Sequence, residues 1–98
     1  MILVAGTFEV EPARRDEFLA SREAAMRRSR AERGCIDYVF SADPLEPGRV
    51  LLFERWEDQG ALDEHIAAMR ARDEPPSPVP VRSREVLHYQ IASFGPLG

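Results

Sequence analysis

Hydrophobic and polar residues alternate along the start of the chain. Within residues 2–10, four apolar side chains fall on one face and polar side chains fall on the other. A two-residue period is typical of a half-buried β-strand, because successive side chains point to opposite faces. The pattern therefore predicts a first strand over residues 2–10. Its apolar positions are Ile2, Val4, Phe8 and Val10, opposite Thr7 and Glu9.

A helical pattern follows the first strand. Pro12 suits the first turn of a helix, where its missing N–H costs no hydrogen bond. Asp16 and Glu17 then lie near the positive end of the helix dipole. We expect this helix to run to about Arg33, with Gly34 as the residue that ends it. Its predicted inner stripe consists of Phe18, Arg22, Ala25, Met26 and Ser29.

The middle of the chain predicts a β-hairpin. Residues 35–41 are rich in strand-forming side chains, and a turn-forming cluster occupies residues 43–48. The return strand, residues 50–56, carries apolar side chains on both faces. Such a sequence is typical of a central strand that is covered on each side.

A second helix and a fourth strand complete the predicted elements. Asp58 is placed to cap the helix, which we expect to end near Arg72. Its apolar positions follow helical spacing and are Leu62, Ile66 and Met69. Four prolines within residues 75–80 predict an extended connector, since proline interrupts both helices and strand pairing. Residues 85–94 predict the last strand.

The predicted order β-α-β-β-α-β indicates an α+β, ferredoxin-like fold with a mostly antiparallel four-stranded sheet. We expect one domain over residues 1–98, because a chain of this length forms one small core. Both helices would cover one face of the sheet. The other face then needs a second layer, which we expect from a second copy of the chain in a homodimer.

Composition limits the classes of partner. The chain holds 13 basic residues, all arginine, against 17 acidic residues, for a net charge of -4. This balance argues against nucleic-acid binding, which depends on a basic surface. The first ten residues lack the basic start of a signal peptide and are interrupted by Thr7 and Glu9, so we expect a cytoplasmic protein without a membrane segment.

The same counts limit the chemistry. Cys35 is the only cysteine, which excludes an internal disulfide and a cysteine-based zinc site. The only imidazoles are those of His65 and His88, and no phosphate-binding glycine-rich loop is present. The sequence therefore predicts no metal site and no cofactor.

His65 is the strongest candidate for chemistry, because it lies beside the apolar stripe of the second helix. A histidine there is suited to act as a general base, or it is simply hydrogen-bonded at the edge of the core. Glu54 and Trp56 share one face of the third strand. Glu54 would either orient His65 or pair with an arginine, and Trp56 would either stack on a planar substrate or pack in the core. For His88 we expect solvent or an interface.

Three segments together resemble the antibiotic biosynthesis monooxygenase family. They are residues 34–38 (GCIDY), residues 53–58 (FERWED) and residues 61–65 (ALDEH), with His65 nine residues after Trp56. The resemblance extends over nearly the whole chain. It implies a dimeric ferredoxin-like α+β barrel with a mainly apolar pocket between the sheet and the helices of each subunit.

The family includes cofactor-free oxygenases that convert anthrones or quinols to quinones, together with haem-degrading enzymes, isomerases and proteins without an assigned activity. The histidine on the helix, the strand-three pair Glu54 and Trp56, and the strand-two Tyr38 match the family's pocket positions. Arg70 stands where many members carry a second histidine, and the chain has no asparagine, which contributes to the pocket in the anthrone-oxidising and haem-degrading branches.

The resemblance implies a cofactor-independent monooxygenase that oxidises a small phenolic, quinol or polycyclic aromatic substrate with dioxygen. In this hypothesis His65 takes the substrate proton, and Glu54 holds the imidazole. Trp56 and Tyr38 clamp the ring system, and Arg84 steadies the developing anion. The substrate pocket is completed by Phe8 and Met69. The alternatives are a dimeric ligand-binding or stress-response module without turnover, and an isomerase in which His65 shuttles a proton.

Overall fold

The protein folds into one four-stranded antiparallel sheet with helices on one face. A computed structural model describes residues 1–98. The strands are β1 (Ile2–Glu9), β2 (Cys35–Ala42), β3 (Arg49–Trp56) and β4 (Ser83–Gln90). The helices are α1 (Arg15–Ser21), α2 (Glu23–Arg30) and α3 (Gln59–Ala71), and a single 3-10 turn, Pro12–Arg14, precedes α1. The sheet order is β2-β3-β1-β4, which confirms the predicted ferredoxin-like α+β class.

The alternating pattern of β1 places its apolar side chains in the core, as predicted. Ile2, Val4, Phe8 and the following Val10 are all buried. Because β1 pairs with both β3 and β4, Val4 lies between two cross-strand partners. The resulting row across the sheet is Tyr38, Glu54, Val4 and His88. One row on the helix-covered face therefore carries three side chains that can exchange a proton.

The predicted first helix is interrupted at Arg22, where the sequence indicated a continuous helix. The Ser21 hydroxyl donates to the carbonyl oxygen of Phe18 at 2.6 Å. The backbone N–H of Arg22 donates to the carbonyl of Leu19 at 3.0 Å, a three-residue spacing. Serine back-bonding of this kind competes with the regular helical pattern and bends helices. The first helix is therefore two segments, α1 and α2.

The end of the first helix also differs from the prediction. Helix α2 ends at Arg30, and the N–H of Glu32 donates to Ser29 three residues earlier at 3.0 Å. Such bonds tighten the last turn of a helix. Gly34 then takes a left-handed φ of 77°, where a Cβ atom would lie 2.5 Å from the Cβ of Ala61. Gly34 thus has the left-handed conformation of a helix-ending glycine, but the helix is already capped at Ala31. The predicted end at Arg33 and the predicted position of Gly34 directly after the helix are therefore both wrong.

Helix α3 begins and ends where the sequence predicts. The Asp58 side chain accepts a hydrogen bond from the N–H of Ala61 at 2.7 Å and caps the helix. Its buried face differs from the predicted apolar stripe, because it includes Leu62 and His65 while Met69 is exposed. The proline-rich stretch after the helix forms no helix or strand, as predicted.

Strand β4 is offset from its predicted span of residues 85–94. It pairs with β1 alone, and β1 extends from Ile2, opposite Gln90, to Glu9, opposite Ser83. Beyond Gln90 only one further backbone bond forms, from the N–H of Ile91 to Met1. The length of β1 therefore sets both ends of β4.

At Gly6 the backbone of β4 comes unusually close to β1. A Cβ atom on Gly6 would collide with the carbonyl oxygen of Glu85 and lie 2.8 Å from the Cα of Val86. Gly6 shares its parity with Val4 and Phe8, so that Cβ would point to the helix-covered face. Strand β4 therefore leans over that face, and glycine permits the approach.

The two faces of the sheet are covered differently. The helices pack on the face of Val4 and Leu52, which we call the covered face. The opposite face, here called the open face, presents four large apolar side chains that are 37–47% exposed. They are Leu51, Phe53, Leu87 and Tyr89. The prediction that β3 is covered on both sides is thus not met within one chain. No helix has the length and apolar character needed to cross a membrane.

Candidate functional site

A cavity of about 700 Å³ lies between the covered face and the helices. Five of the seven predicted site residues line it. These five residues are Phe8, Tyr38, Glu54, Met69 and Arg84. The cavity therefore brings together residues from β1, β2, β3, β4 and α3, which are distant in sequence.

A smaller cavity of about 250 Å³ adjoins the first. It is lined by His65 and His88 and shares Glu54, Met69 and Val86 with the larger cavity. Glu54 thus faces both spaces, and His65 reaches the larger one through the smaller. No group of three or more His, Cys, Asp or Glu side chains converges at metal-binding distances.

His65 is held by a carboxylate from the end of the first helix. Its ring is 2% exposed, and its Nδ1 lies 2.9 Å from Oε1 of Glu32. An ionised carboxylate only accepts hydrogen bonds, so Nδ1 carries the hydrogen. In the neutral imidazole the lone pair is then on Nε2. A ring oriented in this way is arranged to accept a proton at Nε2.

Trp56 connects the two ionisable groups of the site. Its ring centroid is 4.6 Å from that of His65, and its Nε1 donates to Oε1 of Glu54 at 2.8 Å. The indole is fully buried and lines neither cavity. Trp56 therefore fixes the positions of His65 and Glu54 from behind and does not reach the cavity space.

Glu54 is a carboxyl group in a mainly apolar environment. It is 5% exposed, and burial raises its pKa, while the hydrogen bond from Trp56 and the nearby His65 act in the opposite direction. Neither predicted alternative describes its contacts. Glu54 forms no hydrogen bond with His65 and no ion pair with an arginine. A buried carboxyl group whose pKa is raised is instead suited to exchange a proton with a bound molecule.

Tyr38 contributes a neutral hydroxyl and an aromatic wall. Burial, followed by the charge of Glu54, raises the pKa of Tyr38 to about 12, so the phenol keeps its proton at neutral pH. Its ring lies 5.4 Å from His65 and 5.9 Å from Phe40. Phe40 in turn packs 5.6 Å from Phe8. The aromatic groups form a continuous wall that leads from the histidine into the larger cavity.

Glu32 and Arg22 belong to the site, and the sequence prediction missed both as site residues. Glu32 is 33 positions before His65 and fell inside the predicted helix. The available signal was that a histidine predicted at the core boundary needs a polar partner. Arg22 lines the larger cavity. It was predicted on the inner stripe of the helix, where a cation was itself a signal.

His88 lies on the smaller cavity and is exposed, as is every residue of β4. This exposure agrees with the predicted position in solvent or at an interface. In the sheet row Val4 stands between His88 and Glu54, so the second imidazole lies at the edge of the candidate site.

Comparison with known proteins identifies relatives of the chain. Residues 1–72 match the family model described as antibiotic biosynthesis monooxygenase. An uncharacterised protein of Synechocystis is 42% identical over 65 residues, which cover 66% of this chain and 44% of that protein. The chain therefore spans less than half the length of that relative.

Two further relatives support the same grouping. The proposed monooxygenase YcnE of Bacillus subtilis is 31% identical over 65 residues, covering 66% of this chain and 68% of that protein. A crystal structure of a protein from Shewanella oneidensis superposes with a TM-score of 0.76 and 28% identity, covering 90% of this chain and 87% of that one. The helices and strands around the site are thus shared with a solved structure.

Proposed function

Because the chain belongs to the antibiotic biosynthesis monooxygenase family, we propose that it is a cofactor-independent monooxygenase. Its substrate is a small phenolic, quinol or polycyclic aromatic compound, and dioxygen is the oxidant. The observation that carries the proposal is the pairing of buried His65 with Glu32, beside a mainly apolar cavity that Glu54 lines.

The first step is removal of a substrate proton by Nε2 of His65. Glu32 holds Nδ1–H and stabilises the imidazolium that forms, because a carboxylate favours a positive charge beside it. Tyr38 donates a hydrogen bond to the substrate oxygen from its neutral hydroxyl. The apolar walls formed by Phe8 and Met69 exclude water from the resulting anion. Arg84 lies farther along the same cavity wall, and its positive charge favours the anion from a distance.

The electrons for the oxidation come from the substrate. For an anthrone-type CH₂ group, the carbanion transfers one electron to dioxygen, and the carbon radical combines with superoxide to form a peroxide. The peroxide takes the proton held by His65. Loss of the second C–H proton breaks the O–O bond and yields a carbonyl and water. One oxygen atom enters the product and the other leaves as water, so electrons and atoms balance.

Glu54 and Trp56 support this sequence in different ways. Glu54, with its raised pKa, accepts the second proton and returns it to the leaving oxygen. Trp56 acts as a positioning residue, because it packs on His65 and donates to Glu54 without entering the cavity.

Oxygen consumption tests the proposal. The purified protein, treated with a chelator and free of flavin, is supplied with anthrones and quinols, and dioxygen uptake is recorded with an electrode. We expect one dioxygen consumed per quinone formed from an anthrone, a loss of at least about 100-fold in His65→Ala, and a smaller loss in Glu32→Gln.

Glu64→Gln is the matched control for Glu32→Gln, because Glu64 lies beside His65 in sequence but on the protein surface, where it pairs with Arg33. It should leave the rate unchanged. The oxygenase proposal is wrong if no compound is oxidised above the rate in buffer, or if His65→Ala oxidises substrates as fast as the native chain.

A proton-shuttling isomerase is the second candidate, favoured by the position of two proton-exchanging side chains on one small cavity. His65 and Glu54 come from different elements and face the same 250 Å³ space. This activity predicts incorporation of solvent deuterium into a ketone or enol substrate without oxygen, detected by mass spectrometry. A binding module without turnover predicts neither deuterium nor oxygen uptake, only saturable quenching of Trp56 fluorescence.

The proposed enzyme is a homodimer joined through the open face. Leu51, Phe53, Leu87 and Tyr89 form an apolar surface whose removal from water favours association. A second copy supplies a matching apolar surface by two-fold symmetry. Sedimentation equilibrium at micromolar concentration should give twice the chain mass of 11.1 kDa; a stable species of 11.1 kDa would contradict the dimer.

A further inference from the structure

Two arginines on the wall of the larger cavity have no acidic partner. Of the 13 arginines in the chain, seven form an ion pair with a carboxylate. Two more, Arg15 and Arg30, donate to backbone carbonyl oxygens. The four without either partner are Arg22, Arg70, Arg82 and Arg84. Among these four, only Arg22 and Arg84 line the cavity.

The two cations reach the cavity from different layers of the fold. Arg22 occupies the break between α1 and α2, where its guanidinium carbon lies 5.7 Å from the centre of the Phe18 ring. The only hydrogen bond of the Arg22 side chain is from Nε to the Ser21 hydroxyl at 3.3 Å. Arg84 lies on β4, opposite Phe8 of β1. The other hydrogen-bonding groups of both guanidiniums face no protein acceptor.

Arg84 and the proton-exchanging groups lie at different positions along the sheet. Arg84 shares a row with Phe8, whereas Glu54 shares a row with Val4, four residues away along β1. Four residues of strand correspond to about 13 Å between Cα positions. Between these rows, the cavity wall is formed mainly by aromatic and aliphatic side chains such as Phe40, Leu52 and Val86.

From this arrangement we propose that the substrate is an aromatic carboxylate, which Arg22 and Arg84 recognise through its acid group. The inference rests on the proposed function and specifies its substrate class. A guanidinium binds a carboxylate through two parallel hydrogen bonds, which makes arginine the favoured side chain for planar anions. The ring system packs along the aromatic wall, and the carbon that reacts lies toward Glu54 and His65, away from the acid group.

Binding of two matched probes tests the inference. 2-Naphthoate and its neutral amide, 2-naphthamide, have the same ring and neither offers the CH₂ group that the proposed reaction oxidises. Dissociation constants are measured by isothermal titration calorimetry at low salt. We expect naphthoate to bind about tenfold or more tightly than the amide, as charge-assisted hydrogen bonds predict. Arg84→Gln and Arg22→Gln should each remove most of this preference, and added salt should reduce it.

Arg82→Gln is the control, because Arg82 also lacks an acidic partner yet does not line the cavity. It should retain the full preference for naphthoate. Equal affinities for the two probes, no binding of either probe, or the same loss in Arg82→Gln as in Arg84→Gln would overturn the inference.

The oxygen electrode separates this inference from the proposed function. If neutral and carboxylated anthrones are oxidised with equal kcat/KM, the carboxylate site is overturned and the oxygenase proposal is kept. If naphthoate binding depends on the two arginines but no carboxylated anthrone causes oxygen uptake, the carboxylate site is kept and the oxygenase proposal is overturned.

Discussion

The covered and open faces of the sheet distribute polarity in opposite ways. The covered face encloses an acid and an imidazole, Glu54 and His65, both almost completely buried. On the open face, Leu51 and Phe53 of β3 are 37% and 41% exposed. Simple partitioning by polarity would favour the reverse, since burial of ionisable groups is costly and exposure of apolar groups is unfavourable.

The difference supports the proposal that the covered face binds the substrate and that the open face joins two copies of the chain. The two buried ionisable groups each have a defined partner, because Glu54 accepts from Trp56 and His65 pairs with Glu32. On the open face the ionic contacts lie toward the edges, as with Asp37 and Arg55, and its centre is apolar. We therefore assign chemistry to the covered face and association to the open face.

Replacing Trp56 by alanine should have the largest effect. It removes a fully buried indole and leaves Glu54 without its hydrogen-bond donor. We expect the free energy of unfolding to fall by about 3–5 kcal/mol, as measured by urea denaturation. Phe53→Ala on the open face, measured at a concentration where the chain is monomeric, should cost far less. Equal losses would show that the two faces do not differ as described.

A change of pH should alter the free energy of unfolding by less than Trp56→Ala and by more than Phe53→Ser. Burial raises the pKa of Glu54 in the folded chain, so the folded state holds this proton more tightly than the unfolded state. As pH rises, the unfolded chain loses the proton first. The free energy of unfolding therefore falls as pH rises from the ordinary glutamate pKa to the folded-state pKa, and it is level above that. The total fall is about 1.4 kcal/mol for each unit by which the two pKa values differ.

Glu54→Gln should remove this loss, because the amide oxygen still accepts from Trp56 and carries no charge to bury. Its stability relative to the native chain should rise as pH increases from 4 to 7, in urea denaturation at several pH values. Exposed Glu64→Gln serves as the control. A pH-independent difference between Glu54→Gln and the native chain would contradict the assigned direction of the pKa shift.

Replacing Phe53 by serine should have the smallest effect on the isolated fold. The side chain is already 41% exposed, so we expect a loss below about 1 kcal/mol for the monomer. Its effect on assembly should be visible in sedimentation, with the dimer shifted toward monomer. If the dimer is retained and the monomer loses much stability, Phe53 belongs to the core and not to the proposed interface.

Much of the fold was predictable because its signals are local. The alternation of β1, the hairpin turn and the Asp58 cap each act through neighbouring residues, and the structure places all three as predicted. The break at Arg22 was not predicted, because Ser21 bonds back to Phe18 without any glycine or proline to indicate it. The ends of β4 depend on β1, which lies about 80 residues earlier and supplies the pairing partner.

The candidate site was predictable only as a set of inward-facing residues. Tyr38 and Glu54 share a face with the cavity because of strand parity, which a sequence shows directly. The contacts within the site are tertiary. Glu32 meets His65 only after the chain tightens around residues 31–34, and Trp56 is covered from behind by α3. Such contacts leave no periodic pattern.

The close approach of β4 to β1 at Gly6 positions one wall of the larger cavity. Because β4 leans over the covered face at Gly6, Val86 of β4 lines the cavity and closes one side of it. A methyl group at position 6 would push that wall outward and widen the entrance without touching a single ionisable group. In the proposed enzyme, the selection among aromatic compounds of different width therefore depends on a residue that has no side chain.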